Sequence, residues 1–230
     1  MIISINQPAY LPWLGYFDRI ARSDLHVVLD DVPIEQRTRT AFTNRNRIRS
    51  EAGWSWLTVP LKTAGLGQPH ICEVEIDNAL PWAMKHRRSI EHRYARCRHV
   101  EACRPLLALS YDKPWRRLND LLNHQTAWLL DALALRTPLV YASETTVPGA
   151  KSERILNICR HHGATVYLSG ALGRGYLDAA AFDQAGIEIR YHDYRHPVYP
   201  QLHPGFEPFM SVIDLLYNCG PDSLAILHDN

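Results

Sequence analysis

Short apolar runs alternate with polar turns at both ends of the chain, and a long stretch of helical spacing separates them. Residues 1–5 are apolar and of strand length, 18–23 read as the body of a helix, and 25–29 form a second apolar run ending in Asp30 and Asp31. Strand, turn, helix, strand predicts a βαβ unit. Residues 54–61 and 71–76 read as strands, with a Gly-containing loop at 63–68 between them. Pro81 opens a helical region, and residues 83–97, 100–110 and 115–135 follow as helices. In the last of these, Leu118, Leu121, Leu122, Gln125, Leu129 and Ala132 keep the 3–4 spacing of a buried stripe. Strands at 138–142, 165–168 and 187–191 then alternate with helices at 151–162 and 178–184, which Gly163 and Gly186 stop. A Pro- and His-rich loop covers 196–208, and an amphipathic helix covers 209–217. The pattern predicts one α/β domain over residues 1–230, with a mainly parallel, Rossmann-like sheet and a helical subdomain at about 80–136.

Composition changes this picture little. Of 230 residues, 46% are hydrophobic and 21% charged, which is ordinary for a globular protein. A net charge of +1 argues against bulk affinity for nucleic acid and leaves room for a local basic patch. The five cysteines, Cys72, Cys97, Cys103, Cys159 and Cys219, are scattered and form no CxxC pair. That favours reduced thiols and a cytoplasmic protein. The first apolar run has no basic leader and is only a strand long, so no signal peptide is expected. No apolar run approaches ~20 residues, so no membrane span is expected.

In open α/β sheets the ligand sits outside the carboxyl ends of the strands, often at a helix N-terminus. The turn at 6–16 and the Asp30-Asp31 pair fall on that edge. The turn offers Gln7, Tyr10, Trp13, Gly15 and Tyr16, with Trp13 and Tyr16 able to stack a base or sugar. Nucleotidyltransferases of the α/β class carry HxGH in this slot. Here Trp13-Leu14-Gly15-Tyr16 keeps the glycine and replaces both histidines, so the charge a triphosphate needs is missing. Asp30 or Asp31 is a candidate general base, and His86, beside Lys85 near a helix start, is another. Arg37, Arg39, Arg45, Arg47 and Arg49 alternate with other residues, as on an extended strip with one charged face. With Asn44, the strip is a candidate clamp for a phosphate-bearing substrate, because guanidinium binds phosphate through two hydrogen bonds. Ser169 and Arg174 lie in a Gly-rich turn that could present N–H groups to an anion. Gln7, Tyr10, Trp13, Asp31 and Arg45 are expected to line one cavity. His192, His196 and His203 lack the spacing of a zinc site, so no metal is assigned. Cys219, at a helix C-terminus, reads as a packed thiol.

The stretches QPAYLPWLGYFDRI, DDVPIEQRTRTAFTNRNRI, WLTVP, WAMKHRRSI, YLSGALGRGYL and SVIDLLYNCG together resemble the bacterial WbqC-like proteins. The resemblance runs from Gln7 to Gly220. It implies a setting among genes for O-antigen and exopolysaccharide synthesis, and transfer of a small acyl or aminoacyl group. Arg39-Thr40-Ala41 departs from the usual pattern, where an aromatic often stands, so substrate choice does not carry over.

Three readings follow. The first is a transferase that places an acyl or aminoacyl group on an amine of a sugar or nucleotide-sugar. The second is an ATP-dependent carboxylate-activating ligase with a degenerate HxGH-type site. The third is a non-catalytic binder of nucleotide-sugar or tRNA, with tRNA the less favoured partner. Nothing in the residues names a cofactor.

Overall fold

The computed structural model describes residues 1–35 and 41–229, so Arg37 and Arg39 lie outside the described residues. The expected βαβ unit is present as β1 (Ile2–Asn6), α1 (Leu14–Ala21) and β2 (Leu25–Val28). A hairpin of β3 (Arg45–Ser50) and β4 (Gly53–Thr58) follows, then a short pair, β5 (Leu61–Lys62) with β6 (Glu75–Ile76). Three helices come next, α2 (Trp82–Tyr94), α3 (Val100–Tyr111) and α4 (Leu118–Ala132). The α/β alternation resumes with β7 (Leu139–Tyr141), α5 (Lys151–His161), β8 (Val166–Gly170), α6 (Ala179–Gln184) and β9 (Glu188–His192). Helices α7 (Val212–Cys219) and α8 (Ser223–His228) close the chain.

The central sheet has five strands in the order β7-β2-β1-β8-β9, and every pairing is parallel. The chain lays strands outward from β1 to β7, then returns to the other side of β1 for β8 and β9. This is the Rossmann-like winding, and the order reverses between β1 and β8, where such sheets open a ligand crevice. Its two faces differ in chemistry. Ile3, Ile5 and Val27 pack in one core with residues of α5 and α6. Ser4 and His26 point to the opposite face, joined by a 2.8 Å hydrogen bond between the Ser4 hydroxyl and His26 Nδ1. Helix α1 covers that face, with the Tyr16 ring 5.7 Å from the His26 ring. A larger apolar cluster joins α1 to the hairpin, to α2, α3 and α4, and to α7.

Residues 71–76 do not form the strand their alternation predicts. Ile71–Glu73 is a 3₁₀ turn, and only Glu75–Ile76 pairs as β6. Ile71 and Val74 are both fully buried, a spacing of three that suits a turn better than a pleat. The Ile71 and Cys72 amides donate to the carbonyls of Val32 and Asp30, which pins the turn against the segment leaving β2. Helix α8 is six residues long, too short to announce itself by periodicity.

The turn before α1 is clamped from several sides. Leu11 has φ 43°, a left-handed conformation costly for a leucine. The Asn46 side chain donates to the Leu11 carbonyl at 2.7 Å, the Tyr10 amide to Phe42, and the Val212 amide to Pro12. Inside this clamp the Trp13 indole lies directly over Gly15, where an added Cβ would stand 2.3 Å from the ring. Gly15→Ala should therefore displace the indole and destabilise the protein by about 1–3 kcal/mol. The check is a lowered urea midpoint with an unchanged denaturant slope.

All five cysteines are free thiols. Cys219 is pushed up to about 11 by burial and by the Asp214 and Asp222 carboxylates. Among the described residues, no helix is long and apolar enough to cross a membrane.

Candidate functional site

The residues singled out from the sequence occupy several distinct environments. Asp30, at the carboxyl end of β2, is buried and accepts three hydrogen bonds: from the Ser143 amide at 2.9 Å, the Ser143 hydroxyl at 2.8 Å and the Asn119 amide at 2.8 Å. It floors a cavity of about 530 Å³ whose rim carries Glu73, Arg117, Asp120 and Glu144. Three donors on one carboxylate tie the segment after β7 and the start of α4 to β2. Asp30→Ala would strand those donors, and should cost about 3 kcal/mol in chemical denaturation. Asp31 turns instead to Arg154 of α5 in a close ion pair.

His86 and Tyr10 are buried together. His86 Nδ1 lies 2.9 Å from the Tyr10 hydroxyl, which in turn meets the Tyr111 hydroxyl. The ring also bonds to the Thr58 backbone; burial outweighs this and pulls its pKa down to about 4, so the imidazole is neutral near pH 7. Lys85, the residue before it on α2, is exposed. Tyr16 is buried with its hydroxyl unpartnered, and Gln7 is half-buried. Thus Asp31 and Tyr10, expected in one cavity, are held by different partners.

Trp13 packs edge-on against Tyr194 at 5.2 Å and Phe209 at 5.7 Å. The arginine strip alternates along β3. Arg45 lies 4.4 Å over the Trp56 indole and donates from Nε to the Ala41 carbonyl at 3.0 Å. Arg47 lies over Trp54 and Trp56 and donates to the Phe209 carbonyl at 3.1 Å. Trp54 and Trp56 are 41% and 36% exposed, so this face of the hairpin is an open cationic and aromatic surface. Arg49 is buried and spends its donors on the carbonyls of Ser50, Gly53, Pro204 and Gly205. Asn44 donates to the Val59 carbonyl at 2.9 Å and fixes the hairpin base. The Ser169 hydroxyl donates to the Gly170 carbonyl at 3.1 Å, and Arg174 is ion-paired with Asp193 and stacked on Tyr191.

A buried carboxylate–imidazole pair was not among the predicted residues. Asp18, in the middle of α1, is completely buried. Its Oδ2 lies 2.5 Å from His192 Nε2 at the end of β9 and accepts from Arg22 Nε at 2.8 Å. Burial pushes the Asp18 carboxyl up, but the hydrogen bonds from His192 and Arg22 outweigh it and hold the group below its ordinary value. A carboxylate on Nε2–H fixes the tautomer and leaves the Nδ1 lone pair available. His192 lines a second cavity, of about 440 Å³, together with Arg22, Leu168, Arg190 and Arg195. Residues 18 and 22 show the i, i+4 spacing of an ion pair, which is visible in the sequence. That His192 completes the group, 174 positions away, follows only from the pairing of β9 beside β8. Among the described residues, no three His, Cys, Asp or Glu side chains converge as a metal site.

Comparison with known proteins gives one family. The sequence model of the WbqC-like protein family matches residues 7–226. A protein of Mycobacterium tuberculosis (strain ATCC 25618 / H37Rv), Rv1507c, itself uncharacterized, is 36% identical over 226 residues, covering 96% of this chain and 95% of its own length. No solved structure matches. With a family match across nearly the whole chain and a relative aligned end to end, the chain belongs to the WbqC-like protein family.

Proposed function

We propose that this protein is a transferase that joins a small acyl or aminoacyl group to an amine on a phosphate-bearing sugar, in surface-polysaccharide or related biosynthesis. The observation that carries this reading is the Asp18–His192 pair, a buried carboxylate behind an imidazole that faces a 440 Å³ cavity at the strand ends. Amide formation from an activated acyl group needs a base for the ammonium-to-amide proton, and little else that is acid–base. The amine nitrogen attacks the acyl carbon, and the N–C bond forms as His192 Nδ1 takes the amine proton. The bond from the acyl carbon to its leaving group then breaks, and the imidazolium returns the proton to that group. Asp18 stabilises the imidazolium between these steps. Arg22, Arg190 and Arg195 at the cavity suit the substrate's phosphates.

The ligase reading draws less support, because the Trp13-to-Tyr16 slot is filled by its own side chains: the indole covers Gly15 and Tyr16 is buried. The test is incubation with amino-sugar nucleotides and a panel of acyl and aminoacyl donors, read by the mass of the amide product. A product that His192→Gln makes at the wild-type rate removes the base and with it this reading.

A further inference from the structure

We propose that Arg19 holds a phosphoryl group of the substrate at the reversal of strand order between β1 and β8. The assignment of that anion to a substrate rests on the transferase reading; the binding site itself does not. Arg19 lies in the last turn of α1, and side chains on a helix run back toward its N-terminus. This carries the guanidinium up to Gly170, the last residue of β8, where an added Cβ would stand 2.5 Å from Arg19 Nη1. Gly170 is the register partner of His192 on β9. The cation and the base of the Asp18–His192 pair therefore converge on neighbouring strand ends, on the same face of the sheet.

Arg19 differs from three arginines around it. Arg22 has Asp18, Arg174 has Asp193 and Arg190 has Glu188. The Arg19 guanidinium makes no ion pair and no hydrogen bond among the described residues, and its Nε is buried without an acceptor. The titratable groups closest in charge interaction are the phenols of Tyr16, Tyr167 and Tyr176 and the imidazole of His26, with no carboxylate among them. Two of these neighbours, Tyr16 through its hydroxyl and His26 through Nε2, are also buried without partners. A half-buried cation ringed by unmatched polar atoms lacks an anion. The planar fork of guanidinium fits two phosphoryl oxygens, and the crevice at a strand-order reversal is where phosphates settle in sheets of this winding. The adjoining turn is drawn tight: a Cβ on Gly173 would stand 2.1 Å from the Ser169 hydroxyl oxygen.

The experiment is a set of thermal melts at constant ionic strength, with inorganic pyrophosphate as the phosphoryl probe and malonate as the carboxylate probe. Pyrophosphate at a hundredfold excess over its dissociation constant should raise the wild-type Tm by about 5–10 °C. Arg19→Met should melt at or above the wild type without ligand and lose the response to pyrophosphate. Arg104→Ala, a surface control on α3 away from the site, should keep it. Arg19→Lys keeps the charge, loses the fork, and should bind pyrophosphate at least tenfold more weakly by calorimetric titration. That titration decides the matter if Arg19→Met does not fold. Arg19→Met melting well below the wild type would make the residue structural, and an unchanged pyrophosphate response in either variant overturns the site. A response to malonate alone overturns the phosphoryl assignment. None of these readouts needs turnover, so the anion site and the transferase reading can fail separately.

Discussion

Between pH 7 and pH 5 the protein should lose about 4 kcal/mol of folding stability, roughly 2 from each of two buried histidines. Burial, and then the charge of Arg19, pull His26 down to about 3, and burial pulls His86 down to about 4. Both folded values lie below the ~6.5 of an unfolded histidine. The unfolded chain therefore takes up these protons first. The stabilisation is full above pH ~6.5 and drains away as the pH falls toward the folded values. Asp18 extends the loss: its depressed carboxyl contributes above its unfolded pKa and gives way below it. Urea midpoints at pH 5, 6 and 7 measure the slope. His26→Gln and His86→Gln should each flatten it by about half, whatever they do to stability at pH 7. A wild type with the same midpoint at pH 5 and pH 7 would mean that the two rings are not held neutral.

On the transferase reading, His192→Gln should lower kcat for acyl transfer by roughly 10²–10⁴-fold, the usual contribution of a positioned general base. Glutamine keeps a hydrogen bond to Asp18 and approximates the size of the ring, so acceptor affinity should stay within a few-fold of wild type. Asp18→Asn should fall in the same range for a different reason. The amide can donate toward the ring, which favours the wrong tautomer and turns the lone pair away from the cavity. That variant also removes the carboxylate from Arg22, so it should melt earlier than the wild type. The separation of kcat from acceptor binding is what distinguishes a base from a residue that shapes the cavity. If His192→Gln loses acceptor binding and turnover in proportion, His192 is a contact for the substrate and the proton goes elsewhere.

The fold was legible because its signals are local. The apolar runs of β1 and β2, the helix between them and the glycines after α5 and α6 each report on a few neighbouring residues. The strip from Arg45 to Arg49 was legible as an alternating face, but not the division of labour along it, where Arg49 is a buried tie and Arg45 and Arg47 stack on exposed indoles. His86 looked reactive by residue type, and its neutrality comes from burial against Tyr10 and Thr58, which no local pattern announces. Asp18 read as helix body for the same reason. Its meaning depends on a histidine that the order of strands brings over from the far end of the sheet.

That order of strands also governs how the chain is made. β1 and β2 are synthesised well before their outer neighbours, which are β7, beyond residues 29–138, and β8, later still. At 5–20 residues per second, the first βαβ unit emerges roughly 10–30 s before β9 does. Throughout that interval β1 presents an unpaired parallel edge, and α1 waits for α8, the last helix, to pack against it. Such pairings between distant segments make for slow folding and a nascent chain open to wrong partners. The strand at the middle of the sheet is thus made before its neighbours and is among the last to be enclosed, its open edge waiting for the segment from β8 onward.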